Sequence, residues 1–521
     1  MIAWLNTRSP RPWWALALLA SLLAAWIPLA PILAPLVRVD RLAEMLDGRT
    51  ALLLWRSIWM STGAGLVAFL TGWPYAIIAC RLRFPGAGIF KLLMPLPLLL
   101  PPLMVAQAWF GLTGMTGAWA SVFTFGVCYA PLPALLTARS LQHQSASAHE
   151  TALLIGPRFA ISEMLRISFL PALIGACFAF LFAATDFAVP DYFATVGDLF
   201  HVYAAEIFGN SRNYDYTAGA TSSLPLVLLG FLVLLGTANL QRRQMNFETM
   251  HGRTAAPLPL RSGRYLSLGI CLVLLVVLLI APLGRIVYET GMQGELSTRS
   301  WSEVSSAAFH DAVTRGRDDV IRTLSYSGLA GFLCLILAPL WAHLLLKSRS
   351  AWRLLLMIFL TLPLLVPSVA LGFGSILMFN QPWLENFYNS IWLPALLVTG
   401  RFLPIAVWIL AERMGRIPEA QEDAAALAGC GYLTRLFRYR LGPIRSAWWL
   451  TAGLVVAFGV RELDFAILLP AANQSAAVRY YNALHFSRDN FVAAYGLVLA
   501  LILFLPVMLS AWWRNLQTKE A

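Results

Sequence analysis

Charge is scarce in this sequence. Of its 521 residues only 12% are Asp, Glu, Lys or Arg, where a soluble globular chain carries about one quarter. Cysteine is scarce too: six residues, at positions 80, 128, 177, 271, 334 and 430, stand singly and mostly within apolar runs. No C-x-x-C pair and no histidine cluster with metal-ligand spacing occurs, so these cysteines read as packing residues and no metal site or cofactor is expected. The lone histidines His143, His201 and His343 read as loop or interface residues. A GxxxxGK[ST] loop is absent, which removes that route to cradling nucleotide phosphates. HExxH, GxSxG and any nucleophile with a plausible partner are also missing, so the chain is not expected to be an enzyme.

Long apolar runs are what the sequence does have. It is 59% hydrophobic with a mean hydropathy of +0.68, and crossing the hydrocarbon core takes roughly 20 apolar residues. Candidate spans lie near 13–36, 52–80, 89–112, 117–138, 167–190, 220–240, 265–288, 322–346, 353–379, 391–411, 446–470 and 491–513. They are too long and continuous for barrel strands, so an all-α polytopic membrane protein of about 12 helices is expected. Arg8 and Arg11 precede the first run as in a secretory signal. That run is long and interrupted by Pro28, Pro31 and Pro35, and reads better as an uncleaved span.

The net charge of +12 follows topology. Arg81, Arg83 and Lys91 share one loop, Lys347, Arg349 and Arg353 another, and Arg242, Arg243, Arg253, Arg261 and Arg264 crowd the middle of the chain. Asp186, Asp191, Asp198, Glu206 and Asp215 fall on the other side. The positive-inside rule then puts both termini and the middle linker in the cytoplasm, with a lipid bilayer and no nucleic acid as surroundings.

The chain repeats itself. PLLLPP (97–102) matches PLLVPS (363–368), Gly156 matches Gly429, Asp186-Phe-Ala matches Asp464-Phe-Ala, and NSRNYDYTAGA (210–220) echoes FSRDNFVAAYG (486–496), in the same order. Two six-helix domains, 1–240 and 265–521, joined by a basic linker at 241–264, are expected, with a pathway where they meet. The prolines of PLLLPP fit either a simple kink or a span broken beside that pathway.

Each copy also interrupts itself with a polar segment. In the second, Pro418 suits a first helical turn, Glu419, Glu422 and Asp423 lie near its positive end, and Gly429-Cys430-Gly431 breaks the helix. Leu433 to Tyr439 can then form a basic amphipathic helix. In the first, Ser147 and Glu150 offer a capping box and Gly156-Pro157 the break. Either these are ordinary capped loops, or they are two equivalent docking faces for a cytoplasmic partner.

These residues resemble a known family. The acid-Ala-Ala pattern, three residues, Gly, and a later Leu-Pro is similar to the signature loop of permease subunits of binding-protein-dependent ABC importers. Here it reads Glu150-Thr151-Ala152, Gly156, Leu170-Pro171, and again Asp423-Ala424-Ala425, Gly429, Leu441-Gly442-Pro443. The resemblance extends over nearly the whole chain as two fused permease domains. ATDFAVPDYF and VRELDFAILLP look most like the ferric-iron group, whose relatives carry thiamine, polyamines and phosphonates. It implies coupling helices that dock on two cytoplasmic ATP-binding subunits, a periplasmic solute-binding protein, and an inner-membrane location. Glu150 and Asp423 would make polar contacts to the ATPases, and Gly156 and Gly429 would form the turns. Thr151 and the shorter Asp423 depart from the pattern, and Gly442 stands where the second copy's proline would align.

Ionisable groups in the membrane are costly and generally face a cavity or a partner. Asp186, Arg461, Glu462 and Asp464 therefore either line a pathway or outer gate, or pair structurally at the periplasmic edge. Tyr192, Tyr203, Tyr480 and Tyr481 read as boundary aromatics. The rival reading is an ion-coupled secondary transporter, which also has repeated halves.

Overall fold

A computed structural model describes residues 9–34, 48–142, 146–197, 199–245, 256–259, 263–293, 299–486 and 490–520. The expectations for Arg8, His143, Asp198, Arg253 and Arg261 fall outside them, as do Ser487, Arg488 and Asp489. Among the described residues nine helices are long and apolar enough to cross a membrane. Two further helix pairs are sharply bent, Ala87–Leu99 with Pro102–Thr113 and Ala351–Leu365 with Ser368–Phe379. The shorter apolar stretch Asn490–Pro506 brings the set to the twelve regions expected.

The bends decide between kink and break. The two helices of each pair meet at 100° and 95°, far beyond what one proline does to a continuous helix. Leu100 and Val366, each preceding a proline, have ψ of 137° and 138°, the extended geometry that a following proline imposes. A bend of this kind strands carbonyl oxygens in an apolar setting. Two guanidinium groups meet them: Arg461 donates to the carbonyl of Leu98, and Arg401 Nη1 donates to that of Val366 at 2.8 Å.

Two span boundaries differ from the sequence reading. The expected 446–470 helix stops at Arg461, and short 3-10 turns follow. The expected 167–190 helix begins at Pro157 and ends at Thr185. Both shifts have one cause: Asp186 and Glu462 leave the helix with extended ψ, of 127° and 119°, so each span ends where its acids begin.

The halves exchange their first spans. Arg11–Leu33 packs on the second half, where Trp341 Nε1 donates to Ser21 Oγ (2.8 Å) and Trp26 Nε1 to the Phe359 carbonyl (3.1 Å). Arg264–Thr290 packs in turn on the first half, where Gln107 Nε2 donates to Glu289 Oε2 at 2.7 Å. Each exchanged span carries a π-helical turn, Leu22–Trp26 and Val276–Ile280, followed by Pro28 and Pro282. This further repeat emerges only in three dimensions. Without a hydrophobic drive between helices in lipid, small residues set how close spans come. Gly374 is such a contact, because a Cβ there would stand 1.8 Å from the Pro28 carbonyl oxygen.

The aromatic reading needs correction. Tyr192, Tyr203, Tyr480 and Tyr481 are all buried, and their surroundings are protein. Tyr203 donates to the Ser222 carbonyl, Tyr481 to Asp191, and Tyr480 to Gln107. Their positions near span ends suited a boundary belt, but packing between elements claimed their rings. Among the described residues of the linker, Leu258 and Pro259 pair in parallel with Leu82 and Arg83.

Candidate functional site

Two features carry the candidate functional residues: a pair of matched loops, and a cavity lined from both halves of the chain.

The first loop is the helix Ala146–Ile155, a break at Gly156, and the helix that begins at Pro157. The second is Glu419–Leu427, a break at Gly429, and a helical stretch from Tyr432 with a π turn at Arg435–Arg440. Gly156 has φ of +148° and Gly429 of +82°, backbone that side-chain-bearing residues rarely adopt. Pro418 caps the second helix from outside rather than sitting in its first turn. Ser147 lies inside the first helix and accepts from Thr151 Oγ1 through its carbonyl, so the expected capping box with Glu150 does not form.

The two helices show the same face to solvent. Glu150, Thr151 and Leu154 are exposed, as are Asp423, Ala424 and Leu427, while Ala152 and Ala425 are buried. Leu154 and Leu427 are 88% and 90% exposed, and equivalent: each follows its loop's acid by four positions. An exposed acid beside a bare leucine thus occurs at the same place in both loops.

Behind that face the loops are held differently. Glu422 is buried and meets Arg440 through Nε and Nη2, each at 2.9 Å. His343 Nε2 stands 3.2 Å from its Oε1 and Lys347 Nζ 3.8 Å from its Oε2. The His343 contact, then Arg440, draws the Glu422 carboxyl down to about 2, against the burial that raises it. His343, expected in a loop or interface, is thus a buried link between a span and this helix. In the first loop the same position is His149, also buried, and neither ring nitrogen has a hydrogen-bond partner among the described residues. Burial, then the nearby Arg81, lowers its pKa, which favours the neutral form. Among the described residues, an ion cluster anchors the second loop and none anchors the first.

The cavity, of about 80 Å³, lies between the halves and is lined by Asp186, Arg461, Glu462 and Asp464 together with Arg401 and Tyr129. All four charged residues singled out in the sequence are thus brought to one place. Asp186 Oδ1 accepts from the backbone N–H groups of Ala188 (2.9 Å) and Val189 (3.3 Å). Glu462 accepts from the Ser368 hydroxyl and faces Arg401 Nε at 3.7 Å. The arginine paired with an acid is therefore Arg401, whereas Arg461 holds a carbonyl of the opposite half. Sequence reasoning missed Arg401, although an arginine inside the apolar run Trp392–Gly415 was signal enough. It also missed Gln107, which ties the Tyr480 wall of the cavity to Glu289 and Arg285. Among the described residues no group of three or more His, Cys, Asp or Glu is placed to hold a metal ion.

Residues 334–519 match the family described as binding-protein-dependent transport system inner membrane component. The matched segment includes the second loop, Arg401, Arg461, Glu462 and Asp464. It supports a permease of the binding-protein-dependent ABC importer type, a multi-pass membrane transport component and not an enzyme. No curated protein matches the chain.

Proposed function

We propose that this chain is the fused permease subunit of an ABC importer. Two ATP-binding subunits dock on its two loops, and a periplasmic binding protein delivers solute to the opposite face. The observation that carries this reading is the repeated exposed surface, Glu150 with Leu154 and Asp423 with Leu427, on loops that each lead into a span reaching the cavity. The loops and basic linker lie on the cytoplasmic side of the inner membrane, as do both termini. Nucleotide binding draws the loops together, and the halves reopen after hydrolysis. Each ligand biases this equilibrium only through different affinities for the two states. Solute passes the cavity lined by Asp186, Arg461, Glu462 and Asp464. Ferric iron is the proposed solute, from the likeness of the two stretches around Asp186 and Asp464. Thiamine, a polyamine and a phosphonate are the competitors to test against it.

The test is affinity purification of the tagged chain in mild detergent, beside the double variant Glu150→Lys, Asp423→Lys. An ATPase subunit recovered with the wild type and lost from the variant is expected. Recovery of the chain alone, with uptake that survives ATP depletion and collapses with the proton gradient, would favour a secondary transporter. Labelled iron uptake, challenged with each competitor, tests the solute.

A further inference from the structure

We propose that Arg139 and Glu412 form the closure at the loop-bearing end of the path between the two halves; this rests on the permease reading above. Their side chains meet across the halves, Nε to Oε2 at 3.4 Å. They are also equivalent residues. Arg139 and Glu412 are 273 positions apart, the spacing of Pro131 and Pro404, of Leu154 and Leu427, and of Gly156 and Gly429. A residue that touches its own repeat equivalent must lie close to the pseudo-two-fold axis.

The cavity lies on the same axis. Asp186 and Asp464 are equivalents and both line it, as do Tyr129 and Phe402. Tyr129 precedes Arg139, and Phe402 precedes Glu412, by ten residues, or roughly 15 Å of helix. In the turns between, the equivalent residues Ala134 and Val407 are both buried. On the far side of the pair the loop helices start within seven residues, at Ala146 and Glu419. The pair thus stands a short stretch of chain from each loop helix.

Its chemistry suits a closure that must open. Two identical copies would place like charges here and repel. These diverged halves carry opposite charges, and Arg416 adds a second cation on Glu412. Arg139 is 42% exposed and Glu412 17%, so water screens the attraction and its loss is cheap.

The test uses the full chain in inside-out membrane vesicles, with Thr185→Cys placing a thiol on the cavity wall. Its alkylation by a membrane-impermeant maleimide is followed by peptide mass spectrometry, which resolves it from the native cysteines. Arg139→Glu or Glu412→Arg alone is expected to raise that rate about ten-fold, as a like-charge contact in a partly wet site should. The swap Arg139→Glu, Glu412→Arg, made together with Arg416→Glu so that position 412 keeps an opposite charge four residues on, is expected to restore it. Unchanged rates in both single variants, or a swap as labile as they are, would overturn the proposal. If a reversal variant does not reach the membrane, Arg139→Gln and Glu412→Gln replace it: a smaller rise is expected, and no rise in either would overturn the proposal equally. The assay needs neither ATPase nor binding protein. Failure to recover an ATPase would thus count against the permease reading and leave this result standing.

Discussion

Replacing Glu422 by glutamine tests whether the second loop is held by charge. The carboxylate is buried among Arg440, His343 and Lys347, and the amide keeps its shape while removing its charge. Two routes give the size of the effect. The carboxyl falls from 4.5 to about 2, which corresponds to about 3 kcal/mol in favour of the charged form. Breaking one side of a buried pair costs about 3–5 kcal/mol, because Arg440 would be left buried and unmatched. A loss of about 3 kcal/mol speeds exchange through local opening by about 100-fold. Hydrogen exchange by mass spectrometry on the purified chain reads this directly, in peptides covering 419–440. The wild-type second loop should exchange more slowly than 146–155, and Glu422→Gln should abolish the difference. His149→Glu, which sets a carboxylate near Arg81, should slow the first loop. The pH dependence has a fixed sign: a depressed carboxyl contributes fully above 4.5 and loses its contribution as pH falls through about 2. Protection of the second loop should therefore not change between pH 8 and 5 on account of this group. Exchange in Glu422→Gln within about two-fold of wild type would refute the reasoning, since the charge would then hold nothing.

Three further outcomes follow from single contacts. Gly374→Ala forces a Cβ against the Pro28 carbonyl and should destabilise the exchanged first span by about 1–3 kcal/mol, seen as a lower melting temperature in detergent; an unchanged melt would mean that the spans are not that close. Gly156→Ala meets no neighbouring atom within 4 Å, so its cost is backbone strain alone, about 1–3 kcal/mol, and should appear as faster limited proteolysis around the first loop. Arg401→Met strips Glu462 of its counter-charge and Val366 of its donor, and should cost about 3–5 kcal/mol in thermal unfolding; adding Glu462→Gln should recover part of it, and no recovery would argue against the pair.

The membrane architecture was legible because apolar length and repetition are properties of the chain itself. PLLLPP and PLLVPS marked the two breaks, and only the angle at each was undecided, since a proline in lipid permits both outcomes. Asp186, Arg461, Glu462 and Asp464 were readable as a group because a charge inside an apolar run must find a cavity or a partner. Which partner was not readable. Arg461 reaches Leu98 across more than 360 residues of chain, and no local pattern encodes that. The tyrosines failed for a similar reason, because a position near a span end does not say whether the ring turns to lipid or to protein.

The repeat also shows where the halves diverged, and the divergence has a direction. Arg401 stands where the first half has Cys128, Glu422 where it has His149, and Arg461 and Glu462 where it has Ala183 and Ala184. Each of these changes adds charge to the second half, at a broken span, a loop anchor or the cavity wall. A pair of identical subunits cannot do this, because every charge would be doubled about the axis, and a charge on the axis itself would face its own copy. On the proposed fused-permease reading, joining the halves in one chain removes that constraint. It allows a cation to meet an anion on the axis, as Arg139 meets Glu412. It also allows one loop to be fixed to its spans while the other is left freer. The first loop has His149 where its equivalent has a buried carboxylate, and under the proposed function it is the one whose position a docked partner can most easily change.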